Sequence, residues 1–111
     1  MLTIERESCS VFVGKNARDN WDLLSRSEPY DIFLHVLDFP SGYVIVAPKK
    51  NVDLTKEDLA YACNLCKKQS CRAKHAPGTT KVLCTEVRHV SKGRCVGEVI
   101  IQPHNMSTLT I

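Results

Sequence analysis

No apolar run in the chain approaches the length of a membrane span, so a helical transmembrane segment is excluded. Internal repeats, low-complexity tracts and linker-like stretches are also lacking, which leaves a single folded domain as the expectation for 111 residues. Charge of one sign is scarce: 15 Lys and Arg stand against 12 Asp and Glu, and the net +3 permits a polyanionic partner without demanding one. The opening MLTIERESCS carries two acidic residues among its first seven and has no leader pattern. The expected setting is therefore the cytoplasm, with the six cysteines as free thiols.

Several kinds of chemistry are missing as well. The stretch VGKNARDNWDLL (13–24) is half of a phosphate-binding loop, but it has no first glycine, and Asn16 stands where magnesium needs a hydroxyl. No paired carboxylates offer acid–base work. No local signature brings a cysteine, a histidine and an orienting acid together, so an enzyme is not expected. Cys63, Cys66, Cys71 and His75 have nearly the spacing of a zinc knuckle, but NLCKKQS lacks the tight glycine turn. Cys63 and Cys66 also share a helical stripe with Leu59 and Ala62, where a thiol is ordinary core material. No metal and no cofactor are therefore expected, with a small zinc module as a lesser alternative.

What is present reads as strand, helix, hairpin, helix and further strands. SVFV (10–13) is a short strand ended by Gly14. Asn16 then caps a helix with Asp19 in its first turn, and Ala17, Trp21 and Leu24 mark one face. IFLHVL (32–37) and YVIVA (43–47) are buried strands joined through DFPSG (38–42). Thr55 begins a second helix, with Asp58 as the acid of a capping box. Its apolar stripe is Leu59, Ala62, Cys63, Cys66 and Ser70. KVLCTEVRHV (81–90) reads as one long strand, 98–101 as another and STLTI as one more. The order predicts an α+β fold, a mainly antiparallel sheet with two packed helices.

Binding residues follow from charge and position. A helix start beside Lys15 and Arg18 suits a single phosphate, and reads equally as a capped, solvated end. His35 interrupts an apolar strand and must find a hydrogen-bond partner or a surface. Basic residues cluster at Lys49 and Lys50, at Lys67 and Lys68, at Arg72 and Lys74, and around the late turn at Arg88, His89, Lys92 and Arg94. No acid intervenes from Lys67 to Lys81, a pointer to phosphates. Tyr30, Phe39 and Tyr43 suit either stacking on unpaired bases or core packing.

The ordered set VGKNARDNWDLLSR, YDIFLHVLDFPSGYVIV and KVLCTEVRHVSKGRCVGEVII resembles the NFACT-R domain family over about residues 11–101. Gly14, Lys15, Asn16, Asn20 and Leu23 match its first block, and Asp31, Phe33 and His35 match the second, with Phe for Trp. Ser41-Gly42-Tyr43 stands where Gly-Ser-His is expected. Thr85, Val90, Lys92, Gly93, Gly97 and Val99 fit the tail. The family is similar to the C-terminal module of NEMF and fibronectin-binding-like proteins of ribosome-associated quality control. The resemblance implies a non-catalytic domain over 1–111 that binds RNA, either tRNA or rRNA, or the large ribosomal subunit in translation, with no membrane partner. The tRNA-handling N-terminal domains are lacking, so tailing activity is not carried over. The residues implied are Lys15, Asn16, Arg18 and Asn20 at the first helix start, His35 and Tyr43 across the hairpin, and Arg88 and Lys92 extending the positive face. The alternative from another class is a protein–protein adaptor whose basic loops are merely solvated.

Overall fold

Alternating β-branched and aromatic residues build the centre of the molecule in this computed structural model, which describes residues 1–37, 42–70 and 78–111. Among the described residues the elements run β1 (Leu2–Glu5), β2 (Cys9–Val13), α1 (Ala17–Arg26), β3 (Ile32–Val36), β4 (Val44–Pro48), α2 (Lys56–Lys68) and β5 (Lys81–Glu86). A 3-10 turn (Val87–His89), β6 (Val90–Lys92), β7 (Val99–Ile101), a second 3-10 turn (Pro103–Asn105) and β8 (Ser107–Thr110) complete them. Six strands form one antiparallel sheet in the order β1-β2-β4-β3-β5-β8, and β6 and β7 form a separate hairpin. The α+β class and the two packed helices are as the sequence predicts. Among the described residues no helix is long and apolar enough to cross a membrane.

Both faces of the sheet are covered, so its central strands are apolar on both sides. One face presents Val11, Val13, Leu34, Val36, Val44, Val46 and Val82 to Ala62, Cys63 and Cys66 of α2. The other presents Phe33, Tyr43, Ile45 and Leu83 to Leu23 of α1, with Val90, Val99 and Ile101 of the small hairpin packed against them. Phe33 is wholly buried, and a side chain of that size contributes about 3 kcal/mol of transfer free energy. Cys63 and Cys66 are core residues, as their stripe predicts, and burial pushes the Cys63 thiol up to about 11. Cys71 and His75, the other half of the zinc-knuckle spacing, lie outside the described residues, as do Phe39, Ser41, Arg72 and Lys74.

Four sequence expectations change. The 81–90 strand is two strands separated by a turn, because Val87 N–H donates to Asp31 O (2.8 Å) and Arg88 N–H to Pro29 O (2.9 Å), bending the chain out of the sheet. The sheet also has an N-terminal edge strand, β1, that local pattern did not suggest. The buried positions of α1 are Asn20 and Leu23, not the Ala17–Trp21–Leu24 face, since the flank bearing Trp21 is taken by the hairpin. Asp58 does not close a capping box. Thr55 Oγ1 accepts from Asp58 N–H (3.1 Å) as expected, but the Asp58 carboxylate turns to β1–β2 and accepts from Ser8 N–H (2.9 Å), Ser8 Oγ (2.5 Å) and Arg6 Nε (2.9 Å). Ser8 Oγ supplies the missing acceptor for Thr55 N–H (3.1 Å). These bonds, led by the Ser8 hydroxyl, hold the Asp58 carboxyl down at about 2.

Candidate nucleic-acid interface

The start of α1 is held by a close approach of three separate chain segments. Gly14 N–H donates to Tyr43 O (2.9 Å), which aligns the end of β2 with the start of β4. Asn20, one turn into the helix and 7 % exposed, accepts from Tyr43 N–H through its Oδ1 (3.1 Å). A Cβ on Gly14 would collide with that same Oδ1 and stand 3.2 Å from Asn20 Cγ, so only glycine leaves room for the bond. The Tyr43 hydroxyl donates to the carbonyl of Gly97, which ties the hairpin to the same point. Gly97 has φ +92°, and a Cβ there would lie 2.6 Å from Ala17 Cβ. Gly14 of the first block and Gly97 of the tail thus meet at the helix start, although they are far apart in sequence.

This scaffold presents an electropositive end. Asn16 caps α1, its side chain accepting from Asp19 N–H (2.8 Å). Asp19 in turn accepts from Lys15 N–H (3.3 Å) and pairs with the Met1 amino group (3.3 Å), and its carboxyl is held below its usual value, chiefly by the Lys15 N–H. Among the described residues, the N–H groups of Ala17 and Arg18 have no protein acceptor and add partial positive charge. Lys15 and Arg18 are exposed and make no ion pair among the described residues, whereas Arg6, Lys49 and Arg88 each pair with a carboxylate.

Beneath the helix start sits an aromatic cluster. Tyr43 meets Phe33 edge-on at 4.9 Å between ring centroids and His35 at 5.6 Å, and His35 lies parallel to Phe33 at 6.4 Å. Tyr43 is 4 % exposed, and burial raises its hydroxyl pKa. It is an internal strut with no ring face to offer a base. Asn20 is likewise internal. Of the residues implied at this end, Lys15, Asn16 and Arg18 reach solvent, and His35 is half-buried against Tyr43.

Lys92 and Arg88 lie further along the same side of the sheet. Lys92 Nζ donates to Ser25 Oγ near the C-terminal end of α1 and sits 5.5 Å above the Trp21 ring. Trp21 Nε1 donates to Glu98 O (2.9 Å), so this seam fastens the hairpin to the helix. Arg88 is beyond the far end of α1, where its guanidinium donates to Glu86 Oε1 (2.8 and 2.9 Å) and lies 5.3 Å over the Tyr30 ring. The ten-residue helix is about 15 Å long. Arg88 is therefore not part of the cluster around Lys15 and Arg18, and Lys92 lies between the two. The Tyr43–Gly97 link was not legible locally. The one signal available was a glycine in the tail matching the family pattern.

With this geometry described, comparisons place the chain among known proteins. A family model for the NFACT protein RNA binding domain matches residues 1–103. The solved C-terminal part of the fibronectin/fibrinogen-binding protein from Streptococcus suis has the same fold, with a TM-score of 0.79 at 22 % identity over 97 % of this chain. The match covers 46 % of that structure's chain, so the present chain corresponds to less than half of it. No curated protein matches.

Proposed function

The chain belongs to the NFACT-R family of RNA-binding domains, and on that premise we propose that it is a non-catalytic module that grips the RNA backbone at the start of α1. One observation carries the assignment to this end of the molecule: Lys15 and Arg18 are exposed, make no ion pair among the described residues and stand beside open helix N–H groups, whereas Arg6, Lys49 and Arg88 each pair with a carboxylate. Phosphate oxygens accept from such groups, and the helix end favours their charge. Asn16 holds the cap, Asn20 and Tyr43 hold the scaffold, and His35 borders the contact. Lys92 and Arg88 extend the positive side along α1. We assign the partner to tRNA or rRNA, reached on the large ribosomal subunit in the cytoplasm, in ribosome-associated quality control.

Salt dependence tests the reading. Affinity for a short single-stranded RNA is expected to fall as salt rises. Lys15→Ala with Arg18→Ala should then weaken binding and reduce the log–log salt slope by about 1.4, two contacts at roughly 0.7 each. No RNA affinity at low salt, or an unchanged slope in the double variant, would overturn it. An adaptor reading has one observation in its favour, the exposed apolar Val96 and Ile100 of the hairpin, 50 % and 62 % in solvent. It expects capture of protein that survives ribonuclease, whereas the RNA reading expects capture to be lost.

A further inference from the structure

At the end of α1 opposite Lys15 and Arg18, an aromatic ring stands out from the surface. Tyr30 is 68 % exposed, the most exposed large apolar side chain described. Nothing in the fold requires a tyrosine there, since its ring belongs to neither core cluster. Its position is nevertheless fixed. Glu28 N–H donates to Asp31 Oδ2 (2.9 Å) and Asp31 N–H to Glu28 O (3.1 Å), closing a tight turn around Pro29 and Tyr30. Arg88 N–H donates to Pro29 O (2.9 Å) and Val87 N–H to Asp31 O (2.8 Å), which locks that turn to the segment after β5.

Arg88 completes the arrangement. Its guanidinium lies 5.3 Å from the Tyr30 ring centroid and is held from the side by Glu86, which accepts from Nε (2.9 Å) and Nη2 (2.8 Å). His89 Nε2 lies 3.8 Å from Glu86 Oε1, and His89 Nδ1 lies 3.3 Å from Gln102 Oε1. A guanidinium over one ring face, with most of the ring in solvent, leaves the opposite face open. An exposed aromatic ring backed by arginine and fixed in orientation is a stacking surface for an unpaired base.

We infer that Tyr30, backed by Arg88, is a base-stacking platform for single-stranded RNA. The inference rests on the proposed RNA-binding function and deepens it by naming the ligand class. The strand's phosphates lie at Lys15 and Arg18, it passes Lys92 along α1, and one splayed base stacks on Tyr30. The two ends are about one helix length, roughly 15 Å, apart, which a few nucleotides span. A duplex keeps its bases stacked inside and cannot use the platform.

The test is a titration of the whole chain with a labelled short oligouridylate, the same strand carrying abasic sites, and a duplex of equal length. Tyr30→Ala is expected to bind the oligouridylate roughly five- to hundredfold more weakly, the range for one base–aromatic stack. Tyr30→Phe, which keeps the ring, should bind as the parent does. The abasic strand should bind parent and Tyr30→Ala alike, and the salt slope should be the same in both. If parent and Tyr30→Ala bind the oligouridylate equally, or if the parent prefers the duplex, the platform is wrong while the RNA-binding function stands. If the parent binds no RNA at low salt, both fall. Because Tyr30 is exposed and outside both core clusters, the alanine variant retains its fold, and circular dichroism checks this.

Discussion

Replacing Gly14 by alanine should be costly, and Asn20 should be the reason. A Cβ at position 14 cannot coexist with Asn20 Oδ1, so Gly14→Ala must drive the amide away and break its bond from Tyr43 N–H. That leaves a buried donor unsatisfied, worth about 1–3 kcal/mol. Residual crowding against Asn20 Cγ, which would stand 3.2 Å from the added Cβ, adds about 1–3 kcal/mol of overpacking. A total of about 3 kcal/mol is a reasonable expectation, a large share of a small domain's stability. Asn20→Ala alone forfeits the same bond and should cost about 2 kcal/mol. In the double variant the donor is already unpaired and the obstructing side chain is gone. Gly14 has no positive φ, so alanine is conformationally acceptable there. Gly14→Ala with Asn20→Ala should therefore cost about what Asn20→Ala costs, about 2 kcal/mol against an additive sum of about 5, a coupling of about 3 kcal/mol. Urea titrations at constant m-value give the four stabilities directly. A double variant as unstable as the sum of the singles would refute the argument, placing the constraint at Gly14 in the backbone instead.

Other consequences follow from the same structure. The Asp58 carboxyl is held at about 2, below its ordinary value near 4. Its contribution to stability is therefore full above about pH 4 and is lost as pH falls through about 2. Asp58→Asn should flatten the acid limb of the stability profile, and an unchanged limb in urea titrations down that range would count against the Ser8–Arg6 network. Burial pushes the Cys63 thiol up to about 11. At about pH 8 iodoacetamide should then modify exposed Cys95 while Cys9, Cys63 and Cys66 stay protected until the protein is unfolded, as peptide mass mapping would read. Because the unfolded thiol ionises first, Cys63 also lowers stability as pH rises from about 9 through 11. Trp21→Phe removes the bond to Glu98 O and should speed amide exchange in Val90–Lys92 and Val99–Ile101 about two- to tenfold, leaving β2–β4 unchanged. Equal acceleration throughout the sheet would show that the indole supports the whole fold rather than the hairpin.

Local pattern carried much of this architecture. Asn16 with Asp19, and the stripe Ala62–Cys63–Cys66–Ser70, are decided within one or two helical turns, and caps and amphipathic faces depend on near neighbours alone. The strands at 9–13, 32–36 and 44–48 were legible because burial on both sides leaves them almost wholly apolar. Lys15 and Arg18 stood out by residue type next to a helix start. Tertiary structure decided what depends on distant partners. Asn20 was implied as an RNA contact, yet it is buried because Tyr43 N–H, from just before β4, needs its oxygen. Asp58 left its expected capping bond because Ser8 and Arg6 arrive from fifty residues or so upstream. The apolar run at 81–90 breaks because carbonyls of Pro29 and Asp31 claim its N–H groups. The separation of Lys15 and Arg18 from Arg88, one helix length apart, follows from the same rearrangement. Sequence periodicity reports which face of an element is apolar. Which distant segment satisfies a buried polar group is settled only when the chain closes on itself.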